Sequence, residues 1–122
     1  MSPTNRARAG RSILIVEDEP WIALEIHAAF YAAGASVASA SDTQEALRMI
    51  NTPGLSAAVV DISLGRGDCS AVCERLSRNG IPLVFYTGDA RPDILLRWPS
   101  APVLTKLADK ERIVEVVAGV LR

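Results

Sequence analysis

Four apolar runs in this chain each end abruptly on a polar or charged residue. Ile13-Leu14-Ile15-Val16 runs into Glu17-Asp18, and Ala57-Ala58-Val59-Val60 into Asp61. Leu83-Val84-Phe85-Tyr86 runs into Thr87, and Val103-Leu104-Thr105 into Lys106. Runs this short and rich in β-branched residues read as strands buried on both faces. Between them lie segments of helical spacing, such as Ile22, Ile26, Phe30 and Ala33. Strands alternating with helices imply right-handed crossovers and a parallel sheet, an α/β architecture. Ligands bind such a sheet beyond the carboxyl ends of its strands. Glu17, Asp18, Asp61, Thr87 and Lys106 are therefore expected to converge there.

Local signals place the boundaries. Pro20 suits the first turn of a helix, where its missing N–H is no loss, and Asp18 or Glu19 can cap it. Gly34 stops that helix in a left-handed conformation. Ser36–Ala40 reads as a short strand, followed by a helix capped by Asp42 or Thr43 with Ala46, Leu47 and Ile50 inward. Pro53-Gly54 and Asn79-Gly80 are turns. Gly65 and Gly67 mark a loop, and Asp68 caps a helix with Val72 and Leu76 inward. A brief helix is expected over Arg91–Trp98, and Asp109 caps a last helix reaching Leu121. One domain is expected over 12–122, with a flexible tail over 1–11. With the chain reaching Arg122 at the end of the last helix, no output domain is expected.

Composition excludes several classes. Hydrophobic residues make up 49% of the 122 residues, which supports a packed core. Lys and Arg number 13 against 14 acids, for a formal net charge of −1, so nothing electrostatic favours nucleic acid. Arg6, Arg8 and Arg11 come without an aromatic and read as a solvated tail. No secretory leader is visible, and no apolar run approaches the roughly 18–20 residues that span a bilayer. A cytoplasmic protein with no membrane partner is expected. Cys69 and Cys73 lack further ligands for zinc and read as reduced structural thiols. His27 sits mid-helix with no ligand spacing around it.

Each strand-end residue has an ordinary reading and a chemical one. Glu17-Asp18-Glu19 can simply complement the following helix dipole. These acids can also hold Mg²⁺, a hard cation that takes carboxylate, carbonyl and water oxygens, with Asp18 direct and Glu17 direct or through water. Asp61 can be a structural cap, or a carboxylate nucleophile forming an acyl phosphate. Thr87 is a common strand residue, or a donor to a phosphoryl oxygen beside an open Gly88. Lys106 can be solvated, or ion-paired with Asp61 and then with the added phosphate.

Taken in order, the segments Ile13–Pro20, Val59–Leu64, Phe85-Tyr86-Thr87-Gly88 and Val103–Lys106 resemble the receiver domain of two-component response regulators. The likeness runs from about Arg11 to Leu121. It implies a doubly wound, flavodoxin-like sheet of order 2-1-3-4-5 with five helices. It further implies that Asp61 accepts a phosphoryl group from a histidine kinase or histidine phosphotransfer protein, with Mg²⁺ as cofactor. The backbone carbonyl of Ser63 would complete the metal shell. The Phe-x-Thr-Gly motif is similar to that of a stand-alone, single-domain sub-type.

Departures from the family pattern shape the remaining expectations. Leu107 stands where a proline usually follows the lysine, so the Lys106–Leu107 peptide is expected to be trans. Val103 stands where an aromatic switch is common. The segment between Thr87 and Lys106 is short, so a reduced fourth helix is expected. In the last helix Ile113, Val114, Val116, Val117, Ala118, Val120 and Leu121 cover about 200° of the wheel. That surplus suggests a partner surface near Val114, Ala118 and Leu121, for a downstream target or a homodimer. Competing readings are a small Mg²⁺-dependent phosphatase with an Asp nucleophile, and a receiver-like adaptor that only binds. Against the first, Ser63 stands where such enzymes carry a second Asp. Against the second stand intact Asp18, Asp61, Thr87 and Lys106.

Overall fold

A computed structural model describes residues 10–65, 67–88, 91–106 and 109–121. The elements are β1 (Ser12–Val16), α1 (Pro20–Ala32), β2 (Ser36–Ala40), α2 (Thr43–Ile50), β3 (Ala57–Val60), β4 (Ser63–Leu64) and β5 (Gly67–Asp68). They continue with α3 (Ser70–Arg78), β6 (Leu83–Thr87), α4 (Pro92–Leu95), β7 (Val103–Thr105) and α5 (Lys110–Val120). Five strands form one parallel sheet in the order β2-β1-β3-β6-β7. This is the expected order, with a small hairpin inserted after β3. Val16 pairs with Val60 and Val60 with Phe85, so the residues that follow emerge along one edge.

Period-two alternation splits the core into two layers. Leu14, Val16, Ala58, Val60, Leu83 and Phe85 face α2, α3 and α4. Ile13, Ile15, Ala57, Val59, Val84 and Tyr86 face α1 and α5, where Phe30 is fully buried. Local chemistry sets the ends of these elements. Pro20 opens α1, with Glu19 at the cap position but no side-chain capping bond. Gly34 follows α1 at φ 92°, the left-handed turn a side chain would resist. Asp42 Oδ1 accepts the Glu45 N–H at 2.8 Å while Glu45 accepts the Ser41 N–H at 2.7 Å, a reciprocal cap. Asp109 caps α5 through the Arg112 N–H at 2.9 Å.

The expected reduced fourth helix is a single turn, Pro92–Leu95. Two expectations change. Gly65 and Gly67 belong to an antiparallel hairpin, β4–β5, with Gly65 at φ 59°. The second correction concerns α5, whose broad apolar arc is not a free surface. This helix packs against both β6 and α1, which buries Val114 and Ala118 inside the chain's own core. A helix lying in the corner between a sheet and another helix needs a wider apolar arc than one lying on a sheet alone. Among the described residues, exposed large apolar side chains lie on α1, where Trp21, Leu24 and Tyr31 are 63%, 69% and 74% exposed, and at Leu96 and Val103.

Cys69 and Cys73 are both free and fully buried, their sulfurs 3.5 Å apart under α3. Their hydrogen bond and then burial push the Cys73 thiol pKa far up. Among the described residues, no helix is long and apolar enough to cross a membrane. The expectation for the Lys106–Leu107 peptide, and that for the tail over 1–11 as far as residue 9, lie outside the described residues; the Arg11 carbonyl already accepts the Ser36 N–H at 2.9 Å.

Candidate functional site

The main-chain ladder runs one residue beyond each apolar run. The Glu17 N–H donates to the Ala40 carbonyl, Asp61 N–H to Val16 and Lys106 N–H to Thr87, each at 3.0 Å. This extension draws polar side chains into the protein. Glu17, Asp61 and Thr87 are only 3%, 5% and 3% exposed. A cleft of about 190 Å³ opens above them, lined by Asp18, Glu19, Asp61, Ser63, Gly65, Thr87, Gly88 and Lys106. A larger groove of about 520 Å³ lies at the amino end of the strands, among Ile81, Leu83, Trp98, Pro102 and Val120. Among the described residues it has no titratable side chain in its lining, so the chemistry belongs to the smaller cleft.

Lys106 organises the charge. Its Nζ lies 2.9 Å from Asp61 Oδ2 and 2.9 Å from Glu17 Oε1. Asp61 Oδ1 also accepts the Ser63 N–H at 3.3 Å. Asp18 is anchored separately, its Oδ2 accepting the Gly65 N–H at 2.9 Å from the hairpin. Thr87 lines the cleft next to Gly88. A Cβ at Gly88 would stand 3.7 Å from Lys106 Cδ, ordinary contact, so packing does not demand the glycine. Its absent side chain widens that wall of the cleft. The sequence-derived residues Glu17, Asp18, Asp61, Ser63, Thr87 and Lys106 thus meet at one place.

Burial, followed by hydrogen bonding to Asp61, pushes the Glu17 carboxyl up to about 8, with Lys106 pulling the other way. Partial burial pulls the Lys106 ammonium down, but Asp61 and Glu17 outweigh it and the net shift is upward. A carboxylate crowded in this way calls for a counter-charge. Oxygens of Glu17, Asp18 and Asp61 lie within 4.8 Å of one another. Although Glu17 Oε1 is close to Lys106 Nζ, it has no hydrogen-bond partner among the described residues. A cation set among these three carboxylates would satisfy that buried oxygen. The all-oxygen donor set suits a hard ion such as Mg²⁺, so the residues present fit the metal.

Two features escaped the sequence. One is the second arm of Lys106, reaching Glu17 as well as Asp61. The other lies behind the site. Tyr86 OH donates to the Lys106 backbone carbonyl at 3.1 Å and accepts from Lys110 Nζ at 2.8 Å, and Lys110 pairs with Glu25 at 3.3 Å. Strand parity was the available signal. Tyr86 alternates with Phe85 and Thr87, so it points into the α1–α5 layer, where Lys110 opens the last helix.

Comparison with known proteins agrees with this arrangement. The family model for the response regulator receiver domain matches residues 13–118. A CheY-like receiver domain protein from Methanospirillum hungatei JF-1 superposes with a TM-score of 0.82 at 22% identity, over 91% of this chain and 93% of that one. A two-component response regulator from Clostridium difficile gives 0.81 at 21% identity, over 92% and 96%. A Burkholderia pseudomallei response regulator with a phosphorylated aspartic acid, calcium ion and citrate gives 0.77 at 20% identity, over 91% and 70%. At these identities the structures establish the fold. No curated protein sequence matches the chain.

Proposed function

Because the chain belongs to the response regulator receiver domain family, we propose that Asp61 accepts a phosphoryl group from a histidine kinase or histidine phosphotransfer protein. The observation that carries this reading is the Asp61 carboxylate itself. It is buried at the tip of β3, held by Lys106 at 2.9 Å and by the Ser63 N–H at 3.3 Å, and it faces an open cleft. In the reaction, an Asp61 oxygen attacks the donor's phosphorus. An O–P bond forms, the N–P bond of the phosphohistidine breaks, and its electron pair returns to the imidazole. Lys106 and Ser63 keep the nucleophile oriented. The Thr87 hydroxyl and the Lys106 ammonium then receive the new phosphoryl oxygens.

Glu17, Asp18 and Asp61, with the Ser63 carbonyl, would hold Mg²⁺. When bound, the ion supplies positive charge between the attacking carboxylate and the incoming phosphoryl group. The Burkholderia pseudomallei relative, with its phosphorylated aspartic acid and calcium ion, supports a comparable pairing here. We read 12–122 as the receiver unit of a cytoplasmic, stand-alone regulator that signals by protein contact or drains phosphate from its kinase.

Asp61→Asn keeps the shape and removes the nucleophile. Incubated with acetyl phosphate and Mg²⁺, the wild-type protein should gain the mass of one phosphoryl group and the variant none. Phosphorylation of the Asp61→Asn variant at the wild-type rate would refute the assignment.

A further inference from the structure

We infer that Tyr86 is a positioning residue for phosphoryl transfer: its hydroxyl holds the Lys106 backbone so that the ammonium spans Asp61 and Glu17. This inference rests on the phosphoacceptor reading above. Lys106 follows β7, a three-residue strand at the edge of the sheet, paired on one side only. Its backbone N–H is tied to the Thr87 carbonyl at 3.0 Å. Its carbonyl is tied to Tyr86 OH at 3.1 Å. Together these two bonds fix both sides of the Lys106 Cα. A four-carbon side chain starting from a loose Cα would have many rotamers besides the one that reaches both carboxylates.

The direction of the chain of hydrogen bonds is fixed by what each group can do. A lysine ammonium only donates and a carbonyl only accepts. Lys110 Nζ, 2.8 Å from the phenol, must therefore donate to Tyr86 oxygen. That leaves the phenol's single proton for the Lys106 carbonyl. Glu25 on α1 accepts from Lys110 at 3.3 Å and holds it in place, and the ammonium also lies 5.2 Å over the Tyr86 ring. Tyr86 is 2% exposed, so water does not compete for its hydroxyl. Glu25, Lys110 and Tyr86 thus brace the lysine from the helical layer, without touching the cleft.

Tyr86→Phe removes one oxygen and keeps the ring packed. At saturating acetyl phosphate and Mg²⁺ it should slow Asp61 phosphorylation about three- to tenfold, the range one hydrogen bond supports. In a Lys106→Ala background, Tyr86→Phe should have no further effect on the rate. A merely structural tyrosine would slow both backgrounds equally, and that result would overturn the inference. A second measurement does not depend on phosphorylation. The ¹⁵N resonance of the Lys106 ammonium should shift toward that of a solvated lysine in Tyr86→Phe, and an unmoved resonance would also overturn it. If the wild-type protein accepts no phosphate, the phosphoacceptor reading fails, while the resonance still decides whether Tyr86 positions Lys106.

Discussion

Within one strand of this sheet, the protein changes character across a single peptide bond. Val60 is 0% exposed and Asp61 5%; Val16 is 1% and Glu17 3%; Tyr86 is 2% and Thr87 3%. The strand bodies and the strand tips are equally buried, yet they are held by opposite physics. In the bodies, burial itself stabilises, at about 25 cal/mol per Å² of apolar surface removed from water. At the Glu17 tip, burial opposes ionisation, and Lys106 offsets only part of that opposition. Equal exposure therefore says little about what a residue contributes; its surroundings decide.

The contrast can be tested first where it should be largest. Phe30→Ala empties space in the α1–α5 layer and should cost about 3–5 kcal/mol in denaturant unfolding. The protein that remains folded should still be phosphorylated, since the cleft keeps its residues. Lys106→Ala acts at the tips. It leaves Glu17 and Asp61 facing each other with no cation between them and should cost about 2–3 kcal/mol. That loss should be greater at pH 8 than at pH 5, where one carboxyl can stay protonated. Equal losses at both pH values would mean that Lys106 acts through packing rather than charge.

The smallest expected effect is the sharpest test. The Glu17 carboxyl is raised from 4.5 to about 8. Its contribution to stability is therefore fully present below about pH 4.5 and is lost as the pH rises through 8. In the absence of metal, Glu17→Gln should flatten that decline and leave the protein about 1–2 kcal/mol more stable at pH 8. Mg²⁺ should reverse the ranking, because only ionised Glu17 can assist the ion. Wild-type affinity for Mg²⁺ should weaken up to about tenfold per pH unit below 8. Trp21, at the start of α1 and exposed, can report binding by fluorescence in a Trp98→Phe background. A pH-independent affinity would remove Glu17 from the metal site.

Much of this was legible from sequence because strand ends are written in single residues. The step from Val16 to Glu17 and from Val60 to Asp61 marks both a boundary and a site. Caps at Asp42 and Asp109, and the turn at Gly34, depend on local hydrogen bonds and local φ, which short segments encode. The β4–β5 hairpin reads as a loop in sequence because two strands of two residues carry no periodicity. The covered arc of α5 is hidden for a different reason. A helical wheel measures the width of an apolar arc but not how many neighbours cover it, and α1 covers what the sheet leaves open at Val114 and Ala118. The Tyr86–Lys110 bond joins positions 24 residues apart, and nothing in either local segment announces it.

The paired thiols under α3 make this protein its own stopwatch. Cys69 and Cys73 are fully buried, and Cys73 is held firmly protonated, so an alkylating reagent cannot reach either sulfur in the closed molecule. Each alkylation then records an opening of the layer that carries α3. Because the Cys69 N–H is bonded to the Ile62 carbonyl at 2.9 Å, directly after Asp61, that clock is wired to the acceptor loop. Its rate, taken before and after phosphorylation, would show whether the chemistry at the tips tightens or loosens the wall behind them, with no label introduced.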